Sequence, residues 1–397
     1  MMEQIVITGA GIVSAIGNNM EETLLSLLNQ QTGIGPIKYL KTGHREFPVG
    51  EVKMSDEEMK QRLGITHEPT TRTSLMGMLA LREALDDARL LEKQEKPVVL
   101  VSGTTVGGMD KSEQFYLDYL DNDDRNAYIK THDCGATTEM MARHFGLFSM
   151  TTSISTACSS AANAIILGAN MIRSGLTDIA VVGGSECITK FHLNGFNTLM
   201  ILDHEQCKPF DANRAGLNLG EGAAYIVLES EKSARRRGVP IHGVLNGFGN
   251  ACDAFHQTAS SDDGEGAYLA MQKALSVARL HPSDIDYVNA HGTGTPNNDL
   301  SESQALFRVF GDKVPPVSST KGLTGHTTSA SGAVEAVICL LALDHGFLPA
   351  NYGRKNQMEK GVTPVSEVER DCDLHHVMCN SFGFGGNDSC LIISRYE

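Results

Sequence analysis

Cys158 lies in SISTACSSAANAI (153–165), ringed by Ser, Thr and Ala. Farther along, His291 sits in NAHGTGTPNND (289–299), and Lys321 and His326 sit in SSTKGLTGHTTSASG (318–332). One thiol, two imidazoles and an ammonium, each among glycines or small residues, suit covalent catalysis at sulfur with histidines managing charge and protons. The residues after Cys158 read as a buried helix, which places the thiol at a helix N-terminus. The dipole there favours thiolate and lowers the pKa. Small neighbours leave room for an incoming carbonyl, and the Cys158 N–H is a candidate oxyanion donor. The plain alternative is a packed, inert thiol, which is the reading for the other cysteines of the nine.

His291 follows a strand, in the crevice where α/β sheets hold their sites. Thr293 and Thr295 are short hydroxyls beside glycines, suited to a narrow polar channel. NSFGFGGND (380–388) is a glycine turn whose backbone can approach a ligand closely. Each has an ordinary counterpart: a surface histidine, a solvated loop, a tight β-turn. TGAGIVSAIG (8–17) invites a dinucleotide reading, but Ser14 replaces the third glycine and no acid follows about twenty residues on. A tight strand–helix turn is expected there.

Elements must hold these loops in place. Short β-branched runs (QIVIT, PVVLV, DIAVV, GAAYIVLES, SCLIIS) alternate with helical patterns such as TSLMGMLALREALDDARL and SGAVEAVICLLALD. That alternation predicts α/β layers, and strands apolar on both faces predict helices on both sides. The pattern breaks near 235–243, at SARRRGVPIHG, and a Ser/Thr/Ala-rich turn precedes a buried helix on either side of the break. This hints at an internal duplication.

The 397 residues are 41% hydrophobic and 20% charged, with net charge −15. A basic nucleic-acid or anionic-membrane binder is excluded on that balance, although a small basic dock for an acidic partner is not. The cysteines show no CxxC and no Cys/His zinc spacing, which fits reduced thiols in a cytoplasm. No signal peptide or membrane span is expected.

With TACSS, FDANRAGLNLGEGAA, CDAFHQT, AHGTGTPNND, KGLTGH and SFGFGG in this order, the chain resembles the elongating β-ketoacyl-[acyl-carrier-protein] synthases over essentially its whole length. The resemblance implies the thiolase fold, five αβαβα layers from two similar halves. Residues 1–240 would carry the nucleophile and 241–397 the histidines and lysine. It implies a Cys158–His291–His326 triad with accessory Lys321 and Glu302. An oxyanion hole would form from the N–H groups of Cys158 and Phe384, with Phe384 also acting as a gate. Thr258, Thr293 and Thr295 would contact pantetheine. It implies a decarboxylative condensation of malonyl-carrier protein with a Cys-bound acyl group, extending a fatty acid, polyketide or polyene chain. No redox cofactor or catalytic metal is required; phosphopantetheine arrives on the carrier. A structural cation found in some members would map onto Asn289, Glu302, Glu335, Cys379 and Asn380, with Cys379 where serine is usual. Acidic carrier protein would dock on basic residues, with Arg62, Arg72, Lys208 and Arg214 as candidates. A homodimer, or a heterodimer with a ketosynthase-like subunit, is implied. The competing readings are a length-setting partner subunit, which typically lacks the cysteine, and a thiolase or cysteine hydrolase. The motifs GLTGH and GFGGND fit neither a thiolase nor a Cys-His-Asn enzyme. GFGGND replaces the usual GFGGTN, and HGTGT replaces HGTST.

Overall fold

The computed structural model describes residues 3–66, 69–91 and 97–397. Its strands are β1 (Ile5–Ser14), β2 (Val98–Gly103), β3 (Phe148–Ile154), β4 (Ile179–Glu186), β5 (Gly222–Ser230), β6 (Gly243–Cys252), β7 (Tyr287–Asn289), β8 (Val317–Ser318), β9 (Phe347–Leu348), β10 (Glu369–Arg370), β11 (His376–Gly383) and β12 (Asn387–Ser394). Ten of them form one sheet in the order β3-β2-β4-β5-β1-β6-β12-β11-β7-β8, and β9 and β10 pair separately. The order up to β1 recurs, strand for strand, in the run from β8 back to β6. The pairing senses recur too. β2 is parallel to β3 and β4, and β7 is parallel to β8 and β11. β5 runs antiparallel to β4 and β1, and β12 runs antiparallel to β11 and β6. The duplication hinted at by the sequence is therefore written in the topology.

Alternation along each strand sorts side chains into layers. In β4, Ala180 and Val182 face a central core, while Ile179 and Val181 face an outer one. In β12, Leu391 and Ile393 face the same central core, while Cys390 and Ile392 face a second outer one. The central layer is the helix pair Ser160–Arg173 and Ser331–His345. The helix Arg72–Asp87 covers one outer face and Glu265–Ala278 the other, completing five layers. No helix among the described residues is long and apolar enough to cross a membrane.

Two expectations change here. TGAG is not a turn: β1 runs through it with a bulge between Ile7 and Gly9. Its glycines admit the helix Arg72–Asp87, since a Cβ on Gly9 would lie 2.5 Å from the Ala84 carbonyl oxygen and one on Gly11 would lie 2.2 Å from that of Ala80. Gly11→Val is expected to lower stability by about 1–3 kcal/mol through overpacking, read as a lower denaturant midpoint at unchanged slope. The small residues after Cys158 also have a different purpose. A Cβ on Gly332 would lie 2.7 Å from the Ala162 Cβ, so these residues let the two central helices touch.

Candidate active site

Four loops converge where parallel strands end. Cys158 follows β3, His291 follows β7, Lys321 follows β8, and Phe384 follows β11. Ala157 holds the left-handed region, φ 50°, which turns the chain sharply before the helix starting at Ser160. The Ser160 hydroxyl donates to the Ala157 carbonyl (2.6 Å) and accepts from the Thr156 N–H (2.9 Å), fixing that elbow. Gly383 comes alongside: a Cβ there would lie 2.9 Å from the Thr156 carbonyl oxygen. This is the close backbone approach that the GFGG run suggested.

His326 Nε2 lies 3.1 Å from Cys158 Sγ. The backbone on both sides of His326 is strapped to the first half of the chain. Its N–H donates to the Asn218 carbonyl (2.8 Å) and its carbonyl accepts from the Gly220 N–H (2.9 Å). The His291 ring meets that of His326 edge-on, with centroids 5.2 Å apart. Lys321 Nζ is 3.4 Å from His291 Nδ1 and is ion-paired with Glu335 in a fully buried contact. Glu302 instead accepts the N–H groups of His291 and Gly292, each at 2.8 Å, and so holds the loop. The glutamate that neutralises Lys321 is thus Glu335. Sequence reasoning placed Glu335 only in a cation set, because a lone acid inside SGAVEAVICLLALD does not announce a partner.

Burial dominates the electrostatics. It pushes the Cys158 thiol up to about 12, against lowering by Lys321 and by the N–H groups of Phe384 and Cys158. The expected thiolate from a helix dipole is therefore corrected: Cys158 precedes the helix and is desolvated, which disfavours charge. Burial, then Lys321 and a neighbouring histidine, hold both His291 and His326 well below the ordinary imidazole range. Both rings are therefore neutral near pH 7 and carry one N–H each. Burial raises Glu302 and Glu335 to about 7 each.

A cavity of about 300 Å³ opens onto Cys158, His291 and His326. Thr258, Thr293 and Thr295 line it. So does Phe384, whose ring stacks on Phe196 at 5.7 Å. Apart from Cys158, no residue of the small-residue stretch lines it.

The proposed dock loses two members. Arg72 is buried, with its guanidinium on Glu221 and Asp56, so it is structural. Arg214 donates to the carbonyls of Asp211, Thr295 and Pro296 and faces Asp299, so it braces the cavity rim. Arg62 is exposed, and Lys208 is half-buried beside Glu205.

Among the described residues, no three His, Cys, Asp or Glu side chains gather as a metal cluster. The implied cation set nonetheless contains three buried oxygens without partners, Asn289 Oδ1, Asn380 Oδ1 and Glu335 Oε2. Unpartnered oxygens suit a hard cation. Cys379 does not fit with them, because a thiol is a soft donor and a hard cation takes oxygen.

Asn387 and Asp388, the departures in GFGGND, act differently. Asn387 Oδ1 accepts from Ser159 Oγ (3.0 Å), Asn163 Nδ2 (2.8 Å) and Asn250 Nδ2 (2.9 Å), tying the Cys158 elbow to strands β6 and β12. Burial, then Asp253 and Glu302, raise Asp388 to about 8. The folded chain then binds more protons than the unfolded chain between about pH 4 and 8, so stability falls as pH rises through that window. Asp388→Asn is expected to match wild type near pH 4 and to melt several degrees higher at pH 8, measured by thermal scans across pH.

The beta-ketoacyl synthase N-terminal domain family matches residues 2–234, and the C-terminal domain family matches 242–354. The chain is 33% identical to 3-oxoacyl-[acyl-carrier-protein] synthase 1 of Haemophilus influenzae, covering 100% of both. It is 31% identical to 3-oxoacyl-[acyl-carrier-protein] synthase 2 of Staphylococcus aureus, covering 100% of this chain and 99% of that one. Among solved structures, the ishigamide ketosynthase/chain length factor superposes with TM-score 0.93 at 31% identity over 100% of both chains. The Xenorhabdus doucetiae ketosynthase ApeO in complex with its chain length factor ApeC gives 0.86 at 30%, over 99% of this chain and 98% of that one. The chain belongs to the beta-ketoacyl synthase family, on the thiolase fold. It is a condensing acyltransferase.

Proposed function

We propose that the protein elongates carrier-bound acyl chains by two carbons, first loading the acyl group on Cys158 and then condensing it with malonyl-carrier protein. The observation that carries this reading is the intact cluster: Cys158 Sγ on His326 Nε2 at 3.1 Å, with His291 beside it and Lys321 behind. A length-setting subunit would not need it.

In the first half-reaction, Cys158 sulfur attacks the thioester carbon. The oxyanion sits between the N–H groups of Cys158 and Phe384. The carbon–sulfur bond to pantetheine breaks, and the thiol proton ends on the departing pantetheine sulfur. In the second, the malonyl thioester oxygen accepts hydrogen bonds from the Nε2–H groups of His291 and His326. The carboxylate leaves as CO2, its bonding pair becomes an enolate, and the enolate carbon attacks the acyl-Cys158 carbon. Cys158 sulfur departs as thiolate and takes up a proton from solvent. The Lys321 ammonium, able only to donate, occupies His291 Nδ1 and thereby keeps the proton of that ring on Nε2. Glu302 positions the His291 loop. Thr258, Thr293 and Thr295 guide the pantetheine arm. Phe384, on a loop whose Gly385 has φ 82° and Gly386 φ 74°, gates the chamber.

The partners we propose are an acyl carrier protein, docking near Arg62 and Lys208, and a second ketosynthase-type chain, identical or not. The two halves would divide at 240/241. Asn289, Asn380 and Glu335 would hold a structural cation that supplies only fixed positive charge. A cytoplasmic location accords with nine free thiols among the described residues.

Intact mass after incubation with a panel of acyl-carrier proteins tests the reading. An acyl adduct discharged by malonyl-carrier protein to a β-ketoacyl product supports it. No adduct with any carrier, on folded protein, overturns it in favour of the partner-subunit reading.

A further inference from the structure

We infer that Ser331 is a positioning residue that sets the tautomer of His326. His326 Nδ1 lies 2.9 Å from Ser331 Oγ, and Ser331 is fully buried at the start of the central helix Ser331–His345. The inference deepens the decarboxylation step proposed above and rests on it.

The two histidines are matched in need and unlike in surroundings. Each must present Nε2–H to the chamber, so each Nδ1 must accept. His291 has an ammonium at Nδ1, which leaves no choice of direction. His326 has a hydroxyl, which can donate or accept. Thr327 offers a way to set the direction. Thr327 Oγ1 is 3.2 Å from Ser331 Oγ, so the serine oxygen can accept from the threonine hydroxyl. Its own hydrogen is then directed at His326 Nδ1, and the ring proton goes to Nε2, facing Cys158. Such a chain of like-oriented hydrogen bonds is mutually polarising. Burial, then Lys321 and His192, lower the affinity of His326 for a second proton, so the ring keeps one proton, and Ser331 decides which nitrogen carries it. No other hydrogen bond to His326 Nδ1 is present among the described residues.

The test combines rates with spectroscopy on the full chain. Wild type, Ser331→Ala and Thr327→Val are compared for acyl adduct formation by intact mass, for malonyl-carrier decarboxylation, and for melting temperature. Histidine nitrogen shifts are read on ¹⁵N-histidine protein, with His326 assigned by the signal missing in His326→Asn. Wild type is expected to show an unprotonated Nδ1 on His326. Ser331→Ala should keep its melting temperature, still form the adduct, and lose decarboxylation by about tenfold more than acylation. Its His326 signal should move toward protonated Nδ1, and Thr327→Val should show a smaller change of the same sign. A wild-type His326 protonated at Nδ1 overturns the inference, whether or not the variants fold. So do equal losses in both half-reactions, or none. If wild type itself forms no adduct, the fault lies with the proposed function, and the nitrogen shifts still judge Ser331.

Discussion

Cys158→Ala is expected to abolish the acyl adduct and to reduce condensation by at least about a thousandfold, with the fold intact. The magnitude follows from the covalent route: without sulfur there is no acyl-enzyme, and no other thiol among the described residues lines the chamber. Alanine removes one atom from a site already fenced by Ala157, Ser159 and Ser160, so little packing is lost. The same variant separates the two halves of the reaction. His291, His326 and Lys321 remain, so malonyl-carrier decarboxylation should persist while condensation does not. CO2 release without β-ketoacyl product is the expected signature, measured by trapped CO2 beside intact mass. A variant that still accumulates an acyl adduct would move the nucleophile to another of the nine thiols.

Glu335→Ala should produce the largest loss of stability, about 3–5 kcal/mol, the usual cost of stranding one partner of a buried ion pair. The Lys321 side chain is 1% exposed, and Glu335 is its only carboxylate partner among the described residues. With Glu335 gone, the ammonium has only the neutral His291 ring within hydrogen-bonding reach, and that contact is 3.4 Å long. The ammonium is then a buried charge without a counter-ion, and the donor that orients His291 is no longer held in place. Denaturant unfolding should show the midpoint drop, and malonyl decarboxylation should fall with it. Glu335→Gln, which preserves shape, should lose less stability than alanine while losing the same control over His291.

Much of this was legible in the chain. Double-faced apolar runs such as GAAYIVLES gave a strand with the observed bounds, Gly222–Ser230, because burial on both sides leaves no polar register to misread. The loops of Cys158, His291 and Lys321 stood out because glycines and small residues flank chemistry there and nowhere else in that order. What failed depends on tertiary neighbours. Nothing local marks Arg72 as buried; its fate is set by Glu221, 149 residues away. A thiol before a helix reads as acidic until burial is known. TGAG looks like a turn until a helix is found lying on its glycines. Ser331 and Glu335 begin to matter only once the helix bearing them is laid beside β11 and the helix Ser160–Arg173.

The repeated topology also bears on how the chain is made. Cys158 and His326 are 168 residues apart, and the helix Ser331–His345 that completes the central layer is among the last to be synthesised. During N-to-C synthesis the nucleophile half emerges first, without either histidine and without the helix that buries its inner face. The nascent chain therefore carries the thiol long before it can use it. Acyl transfer competence arrives in one step, when the second half docks, so that a truncated or stalled chain is chemically idle rather than partly active.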